Sequence, residues 1–290
     1  MKNKAYPTWF AGGALLLYGA FVLVPAVLGF GFSFTDWNQY SSDVHWVGLD
    51  NFAAIFDPTS NYLSAIQNTV IFTIATIALK TVIALALAIL LTSGVKKLSY
   101  FYRALIFLPA VLPVLIVGVI FQSVLNPDTG LLNSTLRLIG LGGLAQQWLT
   151  DTSLAIWSVI GVDTWRGVGY IMVILIAGLH AIPREYYEAA FIDGASGRQA
   201  FRHITLPLLM PVLSVVTVLN LLYGLRVFDM VFVLTNGGPG YATQTTYLTI
   251  FSDFGRGRYG VATAMSTVFF VVMLALSFLT IKIMNRKEVA

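Results

Sequence analysis

Five ionisable residues fall within or beside long apolar runs of this chain: Lys80, Asp163, Arg166, Arg226 and Asp229. An ionisable group in hydrocarbon costs several kcal/mol unless it is paired, snorkels or faces water, so each is a functional candidate. Asp163 with Arg166, and Arg226 with Asp229, are spaced i and i+3. That spacing places each pair on one helix face, where it can neutralise itself. The competing use is a polar pathway. Asn220, Tyr223, Arg226 and Asp229 recur at intervals of three, and recognition of a polar solute needs such hydrogen-bonding groups beside apolar and aromatic faces. Lys80 reads as a position deep in its helix and near its end, and is not counted with the pathway residues.

Other chemistries are narrowed by what the sequence lacks. There is no Gly-x-x-x-x-Gly-Lys-Ser/Thr phosphate loop, so ATP is not expected to bind this chain through that motif. His45, His180 and His203 lie far apart and lack metal-ligand spacing, and there are no cysteines. Thiolate metal sites, disulfides and cysteine nucleophiles are thereby excluded. An integral-membrane enzyme needs an acid, base, nucleophile or metal set at one depth, and no such set is evident. No cofactor or metal is expected on this chain.

These residues must be positioned by elements that suit lipid. Of the 290 residues 57% are hydrophobic and 10% charged, with a mean hydropathy of +0.80, against about 45–50% apolar in soluble domains. Each membrane helix needs about 20 mostly apolar residues. Six such spans are expected, at residues 10–34, 66–92, 104–125, 153–180, 207–234 and 260–283. A signal peptide is the alternative for the first, because Lys2 and Lys4 precede it. Its apolar run is longer than the usual h-region of about 7–15 residues, so a retained span is expected.

Charge placement orients the spans. With the N-terminus inside, Lys2, Lys4, Lys96, Lys97, Arg103, Arg184, Arg198, Arg202, Lys282, Arg286 and Lys287 are cytoplasmic, and only Arg137, Arg256 and Arg258 lie outside. This is a positive-inside bias. The outer loops take Asp36, Asp43, Asp50, Asp57, Asp128, Asp151 and Asp253, with Trp37, Tyr40 and Trp46 near the interface. Both termini are then cytoplasmic. The net charge of +4 therefore points to membrane topology rather than to nucleic acid. No repeat or soluble insertion is apparent, so residues 1–290 read as one all-α membrane domain with the plasma membrane as its place.

The segment after the fourth span, from Ala181-Ile182-Pro183 to Asp193-Gly194, has helix punctuation at both ends. Pro183 suits a first helical position and Gly194 a left-handed stop. Glu185 falls in the positive first turn. Ser196 and Gln199 have capping-box spacing, predicting a second short helix through Arg202 before Pro207 opens the fifth span. Two short helices joined at Gly194 make an elbow over residues 183–206, able to pass a push from a cytoplasmic partner into the membrane.

Glu188-Ala189-Ala190, Gly194 and Ile204-Thr205-Leu206-Pro207 resemble the EAA loop of binding-protein-dependent ABC importers, at that family's spacing. Phe107-Leu108-Pro109 and Asn126-Pro127-Asp128-Thr129-Gly130-Leu131-Leu132-Asn133 resemble its carbohydrate-uptake permeases. Phe228-Asp229, Leu234-Thr235-Asn236-Gly237-Gly238-Pro239, Thr243 and Tyr259-Gly260 resemble the maltose-type branch, in particular its first permease. The resemblance covers the whole chain. The maltose importer's own larger permease has further N-terminal spans and a large periplasmic insertion, so the plain six-span form is the comparison.

The resemblance implies a type I ABC importer permease with a cytoplasmic coupling helix in a bacterial or archaeal membrane. Glu185, Glu188, Ala189, Ala190, Asp193, Gly194, Ile204, Leu206 and Pro207 would then contact the ATPase or shape the loop. Asn236, Gly237, Gly238 and Pro239 would dock a solute-binding protein, and Asn220, Tyr223, Arg226, Asp229, Asp163 and Arg166 would line the solute pathway. Expected partners are a second permease, a paralogue by resemblance, two ATP-binding subunits holding ATP and Mg, the binding protein and the bilayer. The alternative is a gradient-driven transporter using the membrane aspartates as ion sites. The solute itself is not legible in the sequence.

Overall fold

A computed structural model describes residues 8–94 and 98–285. Lys2, Lys4, Lys96, Lys97, Arg286 and Lys287, which carry part of the charge bias, lie outside the described residues. In chain order the main helices are α1 (Gly12–Phe32), α2 (Asp50–Ile55), α3 (Tyr62–Thr92), α4 (Ser99–Val111), α5 (Val114–Val124) and α6 (Leu131–Leu138). They continue with α7 (Ala155–Ala181), α8 (Arg184–Ile192), α9 (Gly197–Leu225), α10 (Asp229–Thr235), α11 (Thr246–Gly255) and α12 (Tyr259–Asn285). Among the described residues five helices are long and apolar enough to cross a membrane, six if the bent pair α4–α5 counts as one span.

Two compact units are distinguishable. One gathers the chain up to Leu63 with Thr249–Val272, the other Ser64–Leu248 with the chain from Met273. In the first, α1 exposes its apolar side chains along its length, as a lipid-facing helix does. Beyond it the interface aromatics cluster: Trp46 stacks on Phe34 at 5.1 Å, and Trp37 lies 4.4 Å from Phe32 and 4.7 Å from Tyr259, centroid to centroid. Asn51 Nδ2 donates to the carbonyls of Ser33 and Thr35, at 3.0 and 2.7 Å. The backbone amide of His45 donates to Asp36 and holds that carboxyl below the usual range.

The second unit has the inverted logic of a membrane protein. On α3 the buried side carries a polar row, Thr69, Thr73, Thr76 and Lys80, among Ala65, Phe72, Ala84 and Ala88, while Ile74 and Val82 are 63% and 67% exposed. The threonines suit a dry interior because each hydroxyl donates to a carbonyl one turn back, Thr69 to Ala65, Thr73 to Thr69 and Thr76 to Phe72. Apolar packing then forms two clusters. One joins Phe72, Val159 and Ile160 to Met230 and Val231, and the other joins Ala84 and Ala88 to Met172, Leu175 and Leu209. Helices α4 and α7 meet backbone to backbone: a Cβ on Gly169 would stand 2.1 Å from the Ile106 carbonyl oxygen.

Three boundaries differ from the expected ones. The third span is not straight, since α4 and α5 bend by 95°. Leu112, preceding Pro113, is pushed to an extended conformation (φ −68°, ψ 138°), as residues before proline are. The fifth span breaks at residues 226–228, where the amides of Arg226 and Val227 bond three residues back to Tyr223 and Gly224, tightening the helix end. Thr245 captures the freed carbonyl of Val227 at 3.1 Å. Conversely, Pro207 does not open a helix. A π-turn over Phe201–Thr205, with the Leu206 amide bonding Phe201, carries α9 continuously from Gly197 through the proline.

The motif at 126–133 is a structural clamp. Asn126 Oδ1 accepts from the amides of Asp128 and Thr129, both at 3.0 Å. Asn133 Nδ2 donates to Pro127 and Gln146, both at 2.9 Å, and its Oδ1 accepts from Trp148 Nε1 at 2.7 Å. Nearby, Asp151 Oδ1 accepts from the Ser153 hydroxyl and amide, which hold its carboxyl low and fix the entry to α7. Gly169→Val is expected to force α4 from α7 and to destabilise the fold by about 1–3 kcal/mol. A lowered thermal midpoint of the detergent-solubilised protein checks this, and an unchanged midpoint contradicts it.

Candidate functional site

The segment between α7 and α9 is built as a rigid projection. Pro183 is the N-cap of α8 rather than its first helical residue, with ψ 136° and Arg184 starting the helix. Its end is a Schellman stop. Gly194 has φ +77°, its amide bonds to Phe191, and the amide of Ala195 bonds to Ala190. The Ser196–Gln199 capping box is formed in both directions, and it starts α9 itself, not a separate helix. Tyr187 Oη lies 2.9 Å from Thr205 Oγ1, fastening α8 to the first turns of α9.

Helix α8 is exposed nearly all round. Phe191 and Ile192 are 80% and 83% exposed, and Glu185, Glu188, Ala189 and Asp193 are exposed beside them, with Ala190 half-buried. Ile204 and Leu206 are half-buried within α9, and Pro207 is exposed. An apolar tip on a fixed, polar helix is what a docking element presents.

Deeper in the same unit lies a knot that the expected pairing missed. Neither same-helix pair forms: the ion pairs among the described residues are Asp36–His45, Lys80–Asp163 and Asp253–Arg258. Lys80 Nζ stands 2.6 Å from Asp163 Oδ2, with side chains 4% and 0% exposed. Tyr223 Oη donates to Asp163 Oδ1 at 2.6 Å, and Lys80 Nζ lies 4.4 Å from the Tyr223 ring centroid. Three helices, α3, α7 and α9, each supply one member. Lys80 passes over Gly167, where a Cβ would come within 2.9 Å of its Cε. Lys80, read as a helix-end position, is thus a central one. Its signal was the spacing of Thr69, Thr73, Thr76 and Lys80, a single polar stripe on α3.

Beside the knot is a cavity of about 290 Å³ lined by Lys80, Arg166, Tyr170, Asn220 and Tyr223, with Phe107 and Leu219. The structure therefore brings together Asp163, Arg166, Asn220 and Tyr223 of the expected pathway. It leaves Arg226 and Asp229 apart, exposed at the break after α9, with the Arg226 guanidinium 5.9 Å from the Tyr247 ring centroid.

The segment after α10 is more than a turn. Asn236, Gly237, Gly240 and Tyr241 all have positive φ, and a cis peptide joins Gly238 to Pro239. The hydroxyl of buried Thr243 donates to the Gly238 carbonyl (2.7 Å) and lies 2.6 Å from Thr235 Oγ1, from which it can accept. Asn68 of α3 donates to the carbonyls of Tyr241 and Gln244, at 3.1 and 3.0 Å. Asn236, Gly240 and Tyr241 are exposed on this tethered loop.

Removing one partner of a buried ion pair leaves a buried charge unmatched, at about 3–5 kcal/mol. Lys80→Met is expected to destabilise the protein by about that amount, and Lys80→Met with Asp163→Leu to recover most of it. Thermal unfolding of the three proteins in detergent checks this, and a double variant as weak as the single one contradicts it.

The sequence is similar to those of known transport proteins. The chain is 36% identical over 284 residues to a probable ABC transporter permease, YurN, of Bacillus subtilis, covering 97% of this chain and 96% of the relative. It is 33% identical over 263 residues to the trehalose/maltose transport system permease MalF of Thermococcus litoralis, covering 91% and 88%. Among solved structures, a bacterial ABC transporter that imports alginate superposes with a TM-score of 0.82 at 24% identity, covering 94% and 93%. That last likeness is one of fold. Residues 80–288 match the binding-protein-dependent transport system inner membrane component family. With a match over most of its length, this chain belongs to that family of ABC importer permeases.

Proposed function

We propose that the chain is the membrane-spanning permease subunit of an ATP-driven importer for a sugar or related polar solute. It works with a second permease, two ATP-binding subunits and an extracytoplasmic binding protein. Similar permeases serve trehalose and maltose in Thermococcus litoralis and multiple sugars in Streptococcus mutans, which supports the solute class. The single observation that carries the reading is α8. An exposed helix with an apolar tip, Phe191 and Ile192, is held rigidly between two membrane helices by the Gly194 stop and the Tyr187–Thr205 bond.

In this reading α8 and both termini are cytoplasmic, in agreement with the charge bias. Glu185, Glu188, Ala189, Ala190 and Asp193 meet the ATPase. Closure of the ATPases on ATP displaces α8, and the rigid caps pass the motion to α7 and α9. The loop Asn236-Gly237-Gly238-Pro239 faces outward and meets the binding protein. Solute passes the cavity at Arg166, Asn220 and Tyr223, with Asp163 orienting Tyr223 through its hydroxyl. A gradient-driven mechanism fits less well, because the buried carboxylate that would bind a proton or cation is already engaged by Lys80 and Tyr223.

The test is ATP hydrolysis by the complex reconstituted in vesicles with its cognate permease, ATPase and binding protein. Gly194→Asp and Glu188→Lys are expected to leave assembly intact and to reduce stimulation by loaded binding protein to the unstimulated rate. Full stimulation in both variants, or failure of any ATPase to copurify with the wild-type chain, overturns the reading.

A further inference from the structure

The cavity beside the knot is rich in donors and holds a surplus of positive charge. Lys80 is matched by Asp163, whose Oδ1 accepts from the Tyr223 hydroxyl, while its buried Oδ2 stands 2.6 Å from the ammonium as an ion-pair contact without a hydrogen bond. Arg166 is left over. It lines the cavity, forms no ion pair among the described residues, and its Nε is buried without a hydrogen-bond partner. Asn220 is 4% exposed, lines the same cavity, and its Nδ2 is also buried without a partner.

A buried donor left unmade is costly, the more so when it belongs to a charged group. Two such donors in one cavity call for a ligand that brings acceptors and negative charge. A neutral hydroxyl supplies an acceptor but leaves the guanidinium uncompensated. An oxyanion satisfies both, because a guanidinium pairs with carboxylate or phosphate through parallel hydrogen bonds. The cavity, about 290 Å³, lies at the lower bound of ligand sites, about 300 Å³, which suits one sugar ring with its acidic group.

We propose that Arg166 and Asn220 select a solute bearing an oxyanion, a carboxylate or phosphate on a sugar ring. Tyr223 and Tyr170 supply the aromatic faces for the ring, and the Lys80–Asp163 pair acts as a neutral wall. The proposal rests on the reading of this cavity as part of the solute pathway.

The chain contains no cysteine, so Leu219→Cys, on the cavity lining, introduces a single reporter thiol. In the assembled complex, its alkylation by N-ethylmaleimide is followed by mass in the presence of glucuronate, glucose 6-phosphate or glucose. Glucuronate or glucose 6-phosphate is expected to protect at a concentration about ten- to a hundredfold lower than glucose. Arg166→Gln is expected to abolish that preference and Arg166→Lys to keep part of it. Whichever of the two anions protects identifies the group. Equal protection by glucose, or a preference unchanged in Arg166→Gln, overturns the proposal while leaving the cavity as a solute site. Protection by none of the three, or a thiol that reacts in the isolated chain but is sealed in the assembled complex, overturns the pathway reading of the cavity as well. The ATPase coupling test is independent of either result.

Discussion

The pairing of Lys80 with Asp163 inside an apolar helical bundle is the constraint on which the functional half of this protein depends. Neither charge can be left alone at that depth, so the helices bearing them cannot separate without a large penalty. Tyr223 closes the arrangement by donating to the same carboxylate and placing its ring beneath the ammonium. Gly167 gives the lysine room, because a Cβ there would come within 2.9 Å of the Lys80 Cε and require the stem to shift. The cavity lies at the same level, lined by Lys80 of α3, Arg166 of α7 and Asn220 and Tyr223 of α9.

The same helices connect that level to the exposed elbow. Asp163 and Arg166 lie on α7, which runs directly into α8, and Asn220 and Tyr223 lie on α9, which starts at the Ser196 cap just beyond Gly194. A displacement of α8 is therefore delivered to the two helices that carry most of the cavity. The caps matter because a frayed or hinged elbow would absorb such a displacement. A left-handed glycine stop, a two-way capping box and the Tyr187–Thr205 bond leave little slack. In the proposed importer this is how ATP binding on a partner subunit reaches a solute site within the membrane.

Much of this was legible in the residues. The apolar runs, the Gly194 stop and the Ser196–Gln199 cap are local signals, and local signals are read directly from sequence. What escaped depends on contacts between distant segments. The spacing of Asp163 with Arg166 invited a same-helix pair, but a buried carboxylate takes the partner that comes with it into the interior, and Lys80 from α3 does so. The alternation of Thr69, Thr73, Thr76 and Lys80 held that information and was overshadowed by the apolar residues facing lipid. Helix breaks were also misplaced. Pro113 bends the third span because Leu112 before it cannot stay helical, whereas Pro207 is absorbed by a π-turn. The same residue type has opposite outcomes, decided by the neighbouring backbone.

The central claim is that one rigid framework joins an ATPase-docking helix to a solute cavity. Cryo-electron microscopy of the chain assembled with its second permease and ATPases, with solute bound, tests it most directly. The account predicts α8 seated in the ATPase with Phe191 and Ile192 buried, and solute density touching Tyr223 and Asn220 beside an intact Lys80–Asp163 pair. Density for solute elsewhere, with this cavity filled by side chains of the second permease, or α8 free of the ATPase, would contradict it.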